Sequence, residues 1–316
     1  MADIKIKKTE DKQKRQLKFK KQLPTTLFLI GFLAWPVIHW FVFNGYVNLG
    51  TVYNSFFSWK ENASSVPEIG FTLNNYIKVF ELLFDGNSVE NYPLGFKNAL
   101  SYLGFNNLIL LPISLIISYA LSKKMFMGKL FQAVYFFPSL ISIVAMATAW
   151  REMWTLDYGV FGNIMSWFGV NPAGGYFSGS FAQPMILLYC LWTGIGWNNL
   201  ILSGAINQVP SELYEAADLD GANGVQQLWH VTIPCIWPTI NTLVVMGTAG
   251  AFTVFLQAQM LAPSEGTTLA MIVVNKVEVL DYGLASATGI LIGVFGMVVV
   301  YLIRKILTTV DEIMGY

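Results

Sequence analysis

The chain carries the sequence YEAADLDGA at Tyr214–Ala222, between two long apolar segments. A helix is expected to begin near Pro210, because proline suits the first helical turn, and Gly221 can end that helix in a left-handed conformation. A second helix is expected to begin at Asn223, a favourable N-cap residue, and to end at Pro234. The stretch therefore predicts a helical hairpin of a soluble type between two membrane spans.

The predicted hairpin is acidic. It contains Glu212, Glu215, Asp218 and Asp220, and no Lys or Arg lies between Glu212 and Pro234. Asp218 and Asp220 fall at the end of the first helix, where the helix dipole disfavours negative charge. Local helix stability does not explain these two carboxylates, whereas a positively charged partner would. We interpret the hairpin as a surface on which another protein docks.

The composition of the chain is typical of a membrane protein. Charged residues make up 12% and hydrophobic residues 54%, whereas soluble domains carry about 25% charged residues. A spanning helix needs about 20 apolar residues. Six segments meet this requirement: Leu23–Phe43, Asn98–Leu121, Leu130–Trp150, Ala182–Ile206, Cys235–Ala258 and Leu284–Ile303. The sequence therefore predicts an all-α integral membrane protein with six transmembrane helices.

Basic residues predict the orientation of these spans, because cytoplasmic loops carry an excess of Lys and Arg. With both termini in the cytoplasm, fourteen of the 19 Lys and Arg residues lie on cytoplasmic segments, most of them before the first span. We therefore expect a basic cytoplasmic tail at 1–22 and a transmembrane domain at 23–316. The acidic hairpin, at about 207–234, and both termini are expected on the cytoplasmic side.

Several kinds of catalytic and metal site are not expected from this sequence. It has no G-x-x-x-x-G-K-[ST] loop for ATP phosphates, so we expect no enzyme activity in this chain and an energy source in another subunit. With two His and two Cys residues, a metal site is not expected. A net charge of +0 gives no general attraction to nucleic acid.

The predicted spans carry no charged residue near their centres. Ion-coupled transporters normally keep such residues, so a neutral, hydroxyl-rich solute is expected. Polar side chains and tryptophan rings in the fourth and fifth spans could bind it, and Thr253 and Gln257 are expected to share one helical face. The candidates are Trp192, Trp197, Asn198, Asn199, Thr253 and Gln257. The same residues can instead join helices to one another or mark the membrane interface.

The hairpin sequence resembles the EAA loop of ABC importer permeases, the cytoplasmic loop that contacts the ATPase subunit. The resemblance implies an ATPase-coupling role for these residues: Glu215, Ala216, Ala217, Asp220, Gly221 and Pro234. It also implies that Glu215 lies in a cleft of the ATPase and that Gly221 allows the sharp turn. The chain departs from the family at Leu228 and His230, in a region where the family often has a bulky aromatic residue and basic residues.

Other residues, from about Leu23 to the C-terminus, are similar to those of maltose-type sugar permeases. They are Tyr76-Ile77, Gly128–Phe131, Phe137-Pro138, Asp157–Gly159 and Asn163. This similarity implies the fold of a type I ABC importer permease in a bacterial plasma membrane.

The family resemblance also implies a set of partners. They are a second permease subunit in a heterodimer, a dimer of ATP-binding subunits, an extracellular solute-binding protein, membrane lipid and a sugar substrate. ATP and Mg²⁺ would be bound by the ATPase, and this chain would need no cofactor. The alternative is a secondary transporter or channel for a neutral solute, without an ATPase partner.

Overall fold

The computed structural model describes residues 28–57, 70–86, 91–123 and 127–314. The predicted basic tail at 1–22 and the start of the first predicted span lie outside these residues. The described residues form helices and loops, with one isolated β-bridge between Phe57 and Phe71. We number the helices α1 (Phe28–Ser55), α2 (Asn74–Phe84), α3 (Tyr92–Ser122), α4 (Gly128–Leu140), α5 (Ile143–Met153), α6 (Val160–Trp167), α7 (Ala182–Ile206), α8 (Ser211–Leu219), α9 (Gly224–Ala251), α10 (Leu256–Leu261), α11 (Leu269–Glu278) and α12 (Tyr282–Met314).

Five of these described helices are long and apolar enough to cross a membrane, and the bent pair of α4 and α5 makes a sixth if the pair counts as one span. In this form the prediction of an all-α, six-span membrane protein is confirmed. Helix α7 has the bounds predicted for the fourth span, because its 25 residues include no charged side chain to interrupt the apolar segment. Helix α12 extends to Met314, well beyond the predicted end at Ile303.

The described chain forms two compact units, one ending at Asn54 and the other beginning at Ser55. In the first unit, α1 is a single apolar helix with a π-helical turn at Phe41–Gly45. It continues past the predicted end of the first span at Phe43. The ring of His39 packs against Phe43 in the same helix, with ring centroids 4.6 Å apart.

Helices α3, α7 and α9 form the centre of the second unit. Helix α7 packs against α3 and α4, and it approaches α4 most closely at Gly196. A Cβ atom at Gly196 would lie 2.4 Å from the carbonyl oxygen of Tyr135, so this contact requires a residue without a side chain. Helix α12 packs against α2, α9 and α11.

The third predicted span, Leu130–Trp150, is not one straight helix. It divides into α4 and α5, whose axes differ in direction by 105°. Ile141 and Ser142 have extended backbone conformations with ψ of 147° and 133°, which interrupt the ladder of helical hydrogen bonds. The helix resumes when the amide of Met146 donates to the carbonyl of Ser142 at 2.9 Å. An apolar run predicts burial in the membrane, but it does not predict this bend.

The second hairpin helix was predicted to end at Pro234, but it continues past this residue. Helix α9 begins within the hairpin at Gly224 and continues past Pro234 into the fifth span. A π-helical turn at Leu228–Thr232 precedes the proline, and the amide of Ile233 donates to the carbonyl of Leu228, five residues back. The wider turn accommodates a proline that has no N–H to donate.

Helix α9 ends at Ala251, earlier than predicted for the fifth span, and a short loop precedes α10. In this loop the carbonyl of Val254 accepts a hydrogen bond of 2.7 Å from the hydroxyl of Thr268. This bond gives the Val254 carbonyl the hydrogen-bond partner that a backbone amide would supply in a continuous helix. Thr253 lies in the loop and Gln257 lies on α10, so the prediction that they share one face of the fifth span is wrong.

Candidate functional site

The acidic segment forms the predicted helical hairpin. Helix α8 covers Ser211–Leu219, and Gly221 follows it with a φ of +74°, a left-handed conformation that glycine adopts without steric cost. Asn223 begins α9 in a capping box: its side chain accepts from the amide of Gln226, and its own amide donates to the Gln226 side chain. The two predicted helix starts and the glycine turn are confirmed.

The outer face of the hairpin combines carboxylates with large apolar side chains. Glu212 and Glu215 are exposed, Leu219 is 90% exposed and Trp229 is 62% exposed. Large apolar side chains with this much exposure are typical of a protein interface, and tryptophan contributes strongly to the binding free energy of such interfaces. The hairpin therefore has the chemistry of a docking surface.

The predicted coupling residues do not all lie on this surface. Glu215, Ala216, Asp220 and Gly221 are exposed, whereas Ala217 and Pro234 are half-buried. Pro234 lies inside α9, just after the π-helical turn. Its position indicates that it shapes the helix, while the first part of the hairpin supplies the exposed groups.

Hydrogen bonds on the inner side hold the two hairpin helices together. The hydroxyls of Tyr214 and Thr232 bond to each other at 2.9 Å. The side-chain amide of Gln227 donates to the carboxylate of Asp218 and to the carbonyl of Ala222. Asp218 thus has a partner within the hairpin, which corrects the expectation that a positively charged partner is needed to explain it.

A lysine outside the hairpin attaches it to α3. The Lys123 ammonium donates to Oε1 of Gln227 at 2.6 Å and lies 4.4 Å from the ring centroid of Tyr214 and 5.1 Å from that of Tyr119. The Tyr119 hydroxyl donates to the carbonyl of Gly224 at 2.8 Å. Sequence analysis missed this attachment, because 104 residues separate Lys123 from Gln227 and no local pattern connects them.

The C-terminal helix reaches the same end of the second unit. Trp237 and Asn241 of α9 both donate to the carboxylate of Asp311 on α12, Asn241 at 3.0 Å. We call this end, with the hairpin, Lys123 and Asp311, the hairpin end.

The opposite end of α3 contacts the loop between α10 and α11, and we call it the far end. There the side chain of Asn98 donates to the carbonyls of Thr267, at 2.8 Å, and Glu265, at 3.4 Å. In the same loop the Ser264 hydroxyl donates to the Glu265 carboxylate, which holds the pKa of Glu265 below its usual value. Side chains rather than an extension of the helix therefore hold this loop against α3.

An aromatic cluster lies around α5 and the first half of α7. It comprises Trp150, Trp154, Phe161, Tyr176, Tyr189 and Trp192. Some buried polar atoms in and beside the cluster have no hydrogen-bond partner among the described residues: Trp150 Nε1, Trp154 Nε1, Tyr102 OH and both polar side-chain atoms of Gln183. Each such atom is destabilising. The hydroxyls of Tyr176 and Tyr189 do donate to the carbonyls of Val170 and Ile143, and ring packing supplies most of the remaining contacts.

Two of the predicted solute-path residues on α7 have partners in the bundle. Trp192 stacks on Trp150 in the aromatic cluster, with ring centroids 5.1 Å apart. Asn199 is buried and donates to the Ser118 hydroxyl of α3 at 3.0 Å. Asn199 therefore joins two helices, and Trp192 belongs to a packed core.

The other four candidates lie in different surroundings. Trp197 is 53% exposed on α7, and Asn198 beside it is half-buried. Thr253 is exposed in the loop after α9, and Gln257 is half-buried on α10. The six candidates thus lie in different surroundings, and their contact with a solute stays a prediction.

The fold defines a multi-pass membrane protein with an exposed helical hairpin. The family model described as "Binding-protein-dependent transport system inner membrane component" matches residues 108–310. This match covers more than half of the chain and includes the whole hairpin. The chain belongs to that family.

Two curated relatives share about a quarter of their aligned residues with this chain. The arabinooligosaccharides transport system permease protein AraP of Halalkalibacterium halodurans is 27% identical over 204 residues, which cover 62% of this chain and 65% of AraP, just under two thirds of that protein. The multiple sugar-binding transport system permease protein MsmF of Streptococcus mutans is 27% identical over 284 residues, which cover 87% of this chain and 94% of MsmF.

A solved structure has a similar fold. It is the crystal structure of a bacterial alginate ABC transporter in complex with an alginate pentasaccharide-bound periplasmic protein. Its matching chain aligns with a TM-score of 0.75 and 22% sequence identity, covering 91% of this chain and 96% of that chain. The match supports the helical architecture described above.

Proposed function

We propose that this chain is a permease subunit of a bacterial ATP-driven importer, and that it moves a sugar or oligosaccharide delivered by an extracellular binding protein. The observation that carries the proposal is the exposed acidic and apolar hairpin, which continues as one helix into a membrane span. Family membership and the sugar-transport names of AraP and MsmF support the same conclusion.

The hairpin is the docking site for a cytoplasmic ATPase in this proposal. Glu215 faces basic residues of the ATPase, while Leu219 and Trp229 enter an apolar cleft. Two copies of the ATPase bind ATP and Mg²⁺, and this chain breaks no bond itself. Because α9 has no break between hairpin and membrane, closure of the ATPase dimer rotates the span with the hairpin.

The solute crosses between this chain and a second permease subunit, after release from the binding protein. A sugar must replace its hydrating water with hydrogen bonds from side chains, because each buried polar group without a partner costs about 1 to 3 kcal/mol. Among the sequence candidates, Trp197, Asn198, Thr253 and Gln257 can supply such contacts, since none of them is fully buried. The N- and C-termini are cytoplasmic in this arrangement, on the same side as the hairpin.

Uptake by cells tests this function against the alternative of a secondary transporter or channel. Cells lacking the gene are complemented with the tagged chain and given radiolabelled maltose, arabinooligosaccharides and uronic-acid oligosaccharides in turn. We expect one neutral sugar to be taken up, an ATPase to co-purify with the tag, and uptake to stop when the phosphate-binding lysine of that ATPase is replaced. Uptake that continues without the ATPase would favour the alternative.

A further inference from the structure

We propose that Lys123 is a positioning residue through which α3 carries movement of the hairpin to the far end of the second unit. This inference rests on the proposed function, since it concerns how ATPase docking is transmitted. The chain itself connects the hairpin to α7, through residues 207–210, and to α9. The connection to α3 is different, because side chains alone make it.

The Lys123 side chain is placed to resist tilting of the hairpin against α3. Its ammonium lies over the rings of Tyr119 and Tyr214 and donates to Gln227. Gln227 in turn donates to Asp218 of α8. A cation held between aromatic faces is attracted to both, so tilting would break contacts to each hairpin helix at once.

Polar side chains connect α3 to its neighbours in the hairpin half and near its middle. Ser118 accepts from Asn199 of α7 at 3.0 Å. Asn107, in a π-helical turn of α3, donates to Thr248 of α9 at 3.0 Å. These bonds tie α3 to the two helices that the hairpin joins.

Two further contacts continue this series at the far end. Asn98 donates to the carbonyl of Thr267 in the loop before α11. The Tyr92 hydroxyl lies 3.2 Å from the hydroxyl of Thr288 on α12. Helix α3 has 31 residues, a length of about 46 Å at 1.5 Å per residue, so one continuous helix, with a π-helical turn near its middle, joins the hairpin to the far-end loop. The Lys123 contact is the point at which the hairpin engages this helix.

The test uses the complex purified through a tag on this chain and reconstituted in lipid nanodiscs. Cys190 and Cys235 are replaced by serine, and an environment-sensitive fluorophore is attached at Lys97→Cys, an exposed position on α3 at the far end. Mg-ATP is the only ligand added. Three variants are compared with the parent: Lys123→Met removes the charge, Lys123→Arg keeps it, and Lys129→Met is a control at an exposed lysine on α4.

We expect Lys123→Met to retain the ATPase and its basal ATP hydrolysis while the Mg-ATP-dependent fluorescence change falls about fivefold. Lys123→Arg should restore the change, and Lys129→Met should match the parent. A normal fluorescence change in Lys123→Met would overturn the inference. A loss of ATPase binding that is as large as the loss of the fluorescence change would also overturn it, because Lys123 would then only shape the docking surface. If the parent chain recovers no ATPase, the proposed function itself fails.

Discussion

At the hairpin, Gln227, Tyr214 and Thr232 all have hydrogen-bond partners, whereas in the aromatic cluster Trp150 and Gln183 keep polar atoms without partners among the described residues. The hairpin pairs its buried polar side chains within itself and with Lys123, and it leaves apolar side chains exposed. The aromatic cluster buries its apolar rings and leaves polar atoms unsatisfied. The hairpin thus combines paired polar groups with exposed apolar side chains, whereas the aromatic cluster relies mainly on ring packing, with hydrogen bonds from the Tyr176 and Tyr189 hydroxyls to backbone carbonyls.

The largest expected effect is an all-or-none difference in accessibility between the two regions. In a chain with Cys190→Ser and Cys235→Ser, a cysteine replaces the exposed Ser211 of the hairpin or the exposed Ser180 just before α7. Intact cells treated with a membrane-impermeant maleimide should label only Ser180→Cys, because the proposed function places the hairpin in the cytoplasm.

Permeabilised cells provide the control for this topology experiment. Both cysteines should react after permeabilisation, since both positions are exposed. Labelling of Ser211→Cys but not Ser180→Cys in intact cells would reverse the proposed orientation of every span.

The next largest effect is expected on ATPase binding, when one of two exposed tryptophans is replaced. Trp229→Ala on the hairpin should weaken binding of the ATPase about 30-fold, which corresponds to about 2 kcal/mol for an interface tryptophan. Trp167 on α6 is 82% exposed, more than Trp229, but it lies outside the hairpin. Trp167→Ala should therefore leave ATPase binding unchanged in a titration of the purified subunit. Equal loss in the two variants would show that general destabilisation, rather than docking, explains the result.

The smallest effect is expected on the free energy of unfolding when one hydroxyl oxygen is removed from each region. The Tyr119 hydroxyl bonds to Gly224, so Tyr119→Phe should lower the free energy of unfolding by about 1 kcal/mol. The buried Tyr102 hydroxyl lies beside Gln183 but makes no hydrogen bond of ordinary geometry among the described residues, so Tyr102→Phe should cause a smaller loss. Denaturant titration in detergent measures both. Equal destabilisation would mean that the Tyr102 hydroxyl is hydrogen-bonded in solution, for example to water.

Sequence patterns predicted the parts of the fold that depend on local chemistry. The bounds of α7 follow from an uninterrupted apolar segment. The hairpin start and turn follow from Pro210 and Gly221, because proline and glycine restrict or permit backbone conformations wherever they occur. The acidic character of the hairpin was likewise predictable, because charge can be counted along the chain.

The remaining features depend on local backbone geometry that residue type does not dictate, or on residues that are distant in sequence. Pro234 was expected to end a helix, but the preceding π-helical turn accommodates it. The loop around Thr253 depends on a hydrogen bond from Thr268. Lys123 contacts the hairpin only after α3 and α9 have packed together. None of these contacts has a period or spacing that a sequence pattern can reveal.

The two faces of the hairpin have different consequences for how such transporters diversify. Its inner side is committed to the bundle through Tyr214, Gln227 and Thr232, while Leu219 and Trp229 face outward. Substitutions on the outward face can accumulate over generations without unfolding the spans. Under the proposed function, a lineage can therefore exchange one ATPase subunit for another by altering a few outward side chains, while the solute pathway is inherited unchanged.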